Sequence, residues 1–290
     1  SPPYRCRMTE VYLAYKAYDI HELLCHAIAD AAGLYAEAGL SVRLLDTTFI
    51  PDDALPENTF HAACGAALAS FLTGQQRKVV FVACDRPMFW LYGRAGVDAV
   101  EKLAQARVAT FPDVAPPGKF LQKFLHESGV APGLLPCRDD TSRLGLLSSG
   151  SVDGALISSH YLPHEVEARG AQLLAFLGDS LRLPSTGLAV ATELHQANPQ
   201  LVASMVNVYQ QAMKLVFDDD EAILASVLER VFAKDPEGLD QAIRVIRHCY
   251  VPAGYSGDNV LQDAIDGLAA GMGLASRPCG ELYDFAYIKS

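Results

Sequence analysis

Two hundred and ninety residues are enough for about two domains and a sizeable core without help from disulfides or a structural metal. Half the residues are apolar and a fifth charged, the balance of a globular protein. Acidic residues outnumber basic ones, 34 to 23, for a formal charge of −11, and no dense basic cluster interrupts that excess, which disfavours a nucleic-acid partner or an anionic membrane surface.

In chain order, short β-branched or aromatic runs alternate with helical stretches. Val11 to Tyr15 reads as a strand and Glu22 to Ala32 as a helix, with Leu23, Leu24, Ala27, Ile28 and Ala31 on one face. Leu40 to Leu45 and Phe60 to Cys64 are strands, Ala66 to Leu72 a helix, and Val79 to Cys84 a strand. The pattern continues with a strand at Arg107 to Thr110 and helices at Lys119 to His126 and Thr141 to Ser149. A strand at Gly154 to Ser158 and a helix at Pro163 to Arg169 complete it. Such alternation predicts an α/β architecture with a largely parallel sheet. From Pro199 onward two apolar stripes, Leu201 to Met213 and Ile223 to Val231, predict helices, and Asn198 caps the first with proline following it. Asp218, Asp219 and Asp220 read as a solvated helix start.

No transmembrane span is expected, because the most apolar stretch, Val79 to Tyr92, is broken by Asp85 and Arg86. The chain begins at Ser1 with no visible signal peptide. The expected location is therefore periplasmic or extracytoplasmic if a leader was removed, and cytoplasmic if the protein is an enzyme. Seven cysteines without C-x-x-C spacing argue against zinc ribbons and redox pairs, and as thiols they count against export.

His21-Glu22-Leu23-Leu24-Cys25-His26 nearly matches H-E-x-x-H, but the position one turn after His21 is Cys25, so two histidines do not face one metal. His160 and His164 are separated by Pro163, which starts a helix between them. No metal and no cofactor is expected. G-x-x-x-x-G-K-[ST], G-x-G-x-x-G and G-x-S-x-G are all missing, which excludes a nucleotide P-loop. His61, in the strand leading to Cys64, reads as a general base or a core histidine, and Cys84 beside Asp85 and Arg86 as an activated thiolate or a buried strand-end thiol.

Several phrases resemble a known family. Ala36-Glu37-Ala38-Gly39-Leu40-Ser41-Val42 is similar to the phrase after the first helix of the nitrate/sulfonate/taurine-type solute-binding proteins, whose superfamily includes the thiamine-pyrimidine synthases. Ala67-Leu68 through Gly74, Lys78-Val79-Val80, Ser149 through Ala155, Pro184 through Leu188 and Asn198-Pro199 resemble later landmarks in the family's order. The resemblance covers nearly the whole chain. It implies an α/β, two-lobed type II periplasmic-binding-protein fold with a ligand cleft between the lobes. Lobe 1 would comprise residues 1–105 and 190–290, the latter part largely helical, and lobe 2 residues 106–189. The cysteine cluster of the thiamine-pyrimidine synthases has no counterpart around Leu183 to Val190, which counts against their iron-dependent chemistry.

In such a fold, strand C-termini and helix N-termini face the cleft. The candidate ligand contacts are then Tyr15, Lys16, Tyr18, Asp19 and His21 after the first strand, and Cys64 and Gly65 before a helix. They continue with Cys84, Asp85 and Arg86, with Phe111, Asp113 and Lys119, and with Ser158, Ser159, His160 and Tyr161. Lys16, Arg86, Lys119 and Arg138 are candidates for a ligand anion, while Tyr15, Tyr18, Phe111 and Tyr161 suit an aromatic or heterocyclic one. The resemblance implies a solute-binding protein that captures a small organic molecule and presents it to an ABC transporter permease. The alternatives are an enzyme on the same fold, lyase-like or in cofactor or pyrimidine biosynthesis and using His61 or His160, and a ligand sensor.

Overall fold

The computed structural model describes residues 7–51 and 54–290. From the N-terminus run β1 (Thr9–Tyr15), α1 (Ile20–Ala31), α2 (Leu34–Glu37), β2 (Leu40–Asp46), β3 (Thr59–Ala63), α3 (Cys64–Leu72) and β4 (Arg77–Cys84). There follow β5 (Trp90–Gly93), β6 (Arg107–Thr110), α4 (Pro116–Glu127), β7 (Gly133–Pro136), α5 (Asp140–Ser148), β8 (Gly154–Ile157), α6 (Pro163–Glu167), β9 (Gln172–Phe176) and α7 (Leu177–Ser180). β10 (Thr186–Ala191) leads into α8 (Thr192–Ala197), α9 (Pro199–Val216), α10 (Ala222–Arg230), α11 (Leu239–Cys249) and α12 (Asp258–Met272).

These strands form two five-stranded sheets, ordered β2-β1-β3-β10-β4 and β7-β6-β8-β5-β9. In the first, β10 runs antiparallel to β3 and β4; in the second, β5 runs antiparallel to β8 and β9. The chain leaves the first sheet after Cys84 and returns to it at Thr186. The outward passage falls ahead of the boundary at 105–106 suggested by the sequence, because Trp90–Gly93 pairs with β8 and β9. That strand is four residues long and buried throughout, so it shows no alternation by which to read it. β7 and β9 also go beyond the sequence reading; β7 is a short, largely exposed segment.

Helix α1 forms where expected and is buried almost all round, Leu23, Leu24, Ala27 and Ile28 included, and Asp19 caps its start by accepting from the Glu22 N–H. Asn198 caps α9 in the same way through the Leu201 N–H. Two apolar layers, each drawing residues from both sheets, contain Phe60, Phe81, Trp90 and Tyr209 on one side and Phe71, Val82, Leu91 and Leu121 on the other. The outer edge of β4 is covered by backbone bonds from Val251 to Ala83, from Val82 to Gly254 and from Val79 to Leu282. Gly254 turns there at φ +78°, and a Cβ on it would stand 2.4 Å from the Phe81 ring. This cover places Tyr250 under α1, where its hydroxyl donates to the Ile20 carbonyl at 2.6 Å. Among the described residues no helix is long and apolar enough to cross a membrane.

Candidate ligand-binding site

Between the two sheets, the start of α1 meets the loop after β8. The His21 N–H donates to Ser159 Oγ at 2.9 Å, and Ser158 Oγ lies 3.4 Å from Asp19 Oδ2. The Ser158 hydroxyl also makes a short contact to Asp140 Oδ2, while its N–H donates to Asp140 Oδ1 at 2.9 Å. Asp19 and Asp140 are both buried, so one hydroxyl stands between two carboxyl groups brought from opposite sheets.

Arg143 compensates only one of them. Its Nη2 pairs with Asp140 Oδ1 at 2.5 Å, Nε donates to the Leu156 carbonyl at 2.8 Å and Nη1 to the Cys137 carbonyl at 2.6 Å. The Phe111 ring lies 3.7 Å from its guanidinium carbon, so the cation is enclosed on all sides. Burial, then the Asp140 charge, pushes the Asp19 carboxyl up to about 7 against the lowering effect of its hydrogen bonds. Burial, then the Asp19 charge, pushes Glu22 up to about 8, although the Lys16 and Ala17 N–H groups point at its carboxylate.

Deeper in, His21 Nε2 lies 2.7 Å from Ser185 Oγ, which is also 3.1 Å from the Cys84 carbonyl. With the hydroxyl hydrogen on that carbonyl, His21 is the donor, an arrangement that leaves the serine unactivated as a nucleophile. Burial holds the imidazole neutral, down to about 3. Phe89 sits between the two sides, edge-on to His21 (5.4 Å) and to Phe111 (5.4 Å).

The structure thus brings Asp19, His21, Phe111 and Ser158 together at the seam, with Tyr15 and Tyr18 stacked edge to face beside it (5.8 Å). Other expected contacts lie elsewhere. Cys64 and Cys84 are fully buried, and burial raises both thiols, the opposite of activation. The Gly65 N–H, with that of Cys64, donates to the Ser185 carbonyl, so the start of α3 is already occupied. Asp85 accepts from Arg182 and Ser256, and Arg86 donates to the Gly178 carbonyl; both tie the crossing segments together. Asp113 is exposed on the loop before α4, and Lys119 is half-buried in α4. The exposed His160 packs edge-on to Tyr161, whose hydroxyl pairs with Thr141 at 3.0 Å. Arg138 crosses to the Phe49 ring at 4.5 Å. Lys16 and Tyr15 line a cavity of about 100 Å³ in the first sheet's territory, together with Thr47, His61, Ser70 and Arg77. His26 pairs with the Tyr35 hydroxyl at 3.0 Å, far from the partner of His21.

Sequence reasoning missed Asp140, Arg143, Ser185, Tyr250 and Lys234. Lys234 Nζ, itself buried, donates to the His160 carbonyl and to Glu165, both at 2.8 Å. Asp140 and Arg143 carried one signal, a spacing of three at the start of the helix expected over Thr141 to Ser149. Lys234 carried none.

Two sheets, each with one antiparallel strand, a chain that crosses between them twice, and a polar seam where they meet define a two-lobed type II periplasmic-binding-protein fold. Solved structures have the same fold over nearly the whole chain. The alkanesulfonate-binding protein SsuA from Xanthomonas axonopodis pv. citri, bound to MOPS, is 17% identical with a TM-score of 0.73, covering 95% of this chain and 99% of that one. The ligand-binding component of an ABC-type import system from Staphylococcus aureus, with zinc bound, is 13% identical with a TM-score of 0.75 over 98% and 99%. The desulfurization enzyme DSZB is 14% identical with a TM-score of 0.72 over 96% and 97%. At these identities the likeness is one of fold. No protein-family model matches the sequence, and no curated protein matches it significantly.

Proposed function

We propose that the chain is a solute-binding protein that closes its two lobes on a small organic ligand and presents the closed form, outside the cytoplasm, to an ABC transporter permease. The lobes follow the sheets, with β1–β4 and β10 through α12 in one and β5–β9 in the other. The observation that carries the reading is the meeting of α1 with the Ser158–Ser159 loop between the sheets. Import-system neighbours of the same fold support it.

The helix starts support a ligand that is not a simple anion. A helix start holds a sulfonate or phosphate through free N–H groups. Asp19 caps α1, the Ser185 carbonyl accepts from the first N–H groups of α3, and Asp139 accepts from the Ser142 N–H of α5. Helix α4 opens on Pro116 and Pro117, which have no N–H, and the Gly118 N–H bonds Ala115. The ligand class that fits is a flat aromatic or heterocyclic molecule, neutral or carrying N–H donors, stacked on Tyr15, Tyr18 or Phe111.

A thermal-shift panel of aminopyrimidines, benzylamine and alkanesulfonates, with mass analysis of the recovered compound, tests this. Binding without change of the compound is expected from the amino-aromatic members, with about 2.7 kcal/mol of stabilisation at a hundredfold excess over Kd. Response to alkanesulfonates alone overturns the ligand class. Turnover abolished by His61→Ala or His160→Ala overturns the binding-protein reading in favour of an enzyme.

A further inference from the structure

We propose that closing the lobes takes up a proton at the Asp19–Ser158–Asp140 contact, making the seam a pH-responsive latch. The inference rests on the hinged-lobe reading above. Its foundation is a count of hydrogens. Ser158 Oγ carries one, and it faces Asp140 Oδ2 at short range and Asp19 Oδ2 at 3.4 Å. With that hydrogen on Asp140, the contact to Asp19 is a hydrogen bond only when Asp19 itself is the donor, that is, when it is protonated. Two ionised carboxylates sharing one hydroxyl would repel each other in a site closed to water.

The Glu22 N–H that Asp19 caps, 3.0 Å away, favours the ionised form but is outweighed by burial, and the surrounding side-chain charges do not relieve the repulsion. On its own segment Asp19 faces Glu22, another acid, and the exposed Lys16 lies beyond it, with its ammonium directed at the Thr47 carbonyl. His21 is neutral in its buried position. From α5 come Asp140 and Arg143, the latter saturated by Asp140 and two carbonyls. From beneath comes the neutral Tyr250 hydroxyl, which donates to the Ile20 carbonyl. Across the seam Ser158, Ser159 and His160 follow β8, and Lys234 is already paired with Glu165 and the His160 carbonyl.

When the lobes part, Asp19 leaves the Ser158 hydroxyl and the field of Asp140 and regains water, so its carboxyl returns toward the ordinary aspartate range. In the closed form burial holds it up to about 7. A group whose value is higher in the closed form favours closure fully below the open-form value and loses that contribution as pH rises through the closed-form value. Closure of the ligand-free protein is therefore expected to weaken by about tenfold per pH unit from about pH 5 to about pH 7, and to level off above.

Small-angle X-ray scattering of the ligand-free chain at about pH 5 and about pH 8 reads this directly. The expected result is a compact particle at the lower pH and a more extended one at the higher. Asp19→Asn, which keeps a good helix cap while staying neutral, is expected to be compact at both. Carboxyl-carbon NMR of the unaltered protein supplies a second reading, with one aspartate titrating near neutrality. A wild type with equal dimensions at both pH values, an Asn variant that follows the wild type, or no aspartate titrating above about pH 5.5 overturns the latch. Lys234→Ala, which removes another tie across the seam, beside the His21–Ser159 bond and the Phe49–Arg138 contact, separates the two levels of the proposal. If it is extended while the wild type ignores pH, the latch alone falls; if it too stays compact at both pH values, the hinge reading falls with it.

Discussion

At the bottom of the seam almost no polar atom is left to water, whereas at its mouth apolar rings stand out into it. Asp19, His21, Asp140, Arg143 and Ser158 are all buried, while Tyr18 is 48% exposed and Phe49 74%. The floor consists of a network held mostly within the second sheet's side, Asp140 with Arg143 and Ser158, joined to α1 through the Ser159–His21 and Ser158–Asp19 contacts. The rim consists of surfaces that no described residue fully covers. On the proposed function, the difference divides the labour: the floor sets how readily the lobes shut, and the rim sets what they shut upon.

The largest expected effect tests the floor. Arg143 is 1% exposed and is the cation that compensates Asp140. Replacing it with Ala leaves a buried carboxylate without its partner and should cost about 3–5 kcal/mol of folding stability, measured as a fall in the urea midpoint. Adding Asp140→Asn should recover part of that loss, because the stranded charge is then gone. An Arg143→Ala protein as stable as wild type would mean that the floor is not the buried, mutually dependent network described.

A second test uses pH on a residue away from the seam, as a reference for the latch. Burial holds the His26 imidazole down to about 4, so its neutral form is the native one. Stability from such a group is complete above the ordinary histidine range and is lost as pH falls toward about 4, because the unfolded chain takes up the proton first. The advantage of wild type over His26→Gln should therefore shrink by about 1.4 kcal/mol per pH unit between about pH 6 and about pH 4. This sign is opposite to that at Asp19, so a single acid-stability curve would blend the two, and only the variant separates them.

Lys234 comes next. Its ammonium ties the segment after α10 to the loop carrying His160, and Ala233, at φ +53°, turns the backbone just before it. A non-glycine residue held in that region costs about 1–3 kcal/mol and persists only where its surroundings enforce it. Lys234→Ala should weaken closure by about 1.5–3 kcal/mol, the range for hydrogen bonds to a charged group. The measurement is a loss of ligand affinity without a matching fall in the melting temperature of the free protein.

How much of this could be read from the chain follows the same floor-and-rim division. The strands and first helices were legible because their apolar residues recur at fixed spacing, as Leu23, Leu24, Ala27 and Ile28 do. Asp19, His21 and Ser158 were legible as candidates because they follow strand ends, the first two at the start of α1 after β1 and the third directly after β8. The role of Asp85 was not, since its partners Arg182 and Ser256 lie about a hundred residues or more away and no local pattern joins them. The start of α3 is a related case. Gly65 reads as a place where a ligand could approach the backbone closely, but its N–H and that of Cys64 donate to the carbonyl of Ser185, just before the strand that returns to the first sheet. Spacing reports which face of an element is buried; it does not report which distant segment arrives there.

The smallest expected effects belong to the rim, and they decide whether it binds ligand or only closes the gap. Phe49 and Arg138 come from loops of opposite lobes and meet ring to guanidinium at 4.5 Å, while Tyr18 packs against Tyr15 and Phe232 at 5.8 and 6.3 Å. Because these rings are largely in water, Tyr18→Ala and Phe49→Ala should change folding stability by no more than about 0.5 kcal/mol. If Tyr18 stacks on the ligand, its loss should lower affinity by about 0.5–1.5 kcal/mol, or about two- to tenfold in Kd by titration calorimetry. Phe49→Ala should instead act on closure, with a smaller change that Arg138→Gln reproduces and does not add to, since the two residues form one contact. Equal, additive losses from all three substitutions would mean that the rim works as a single ligand surface, and the separation between shutting and capture would have to be redrawn.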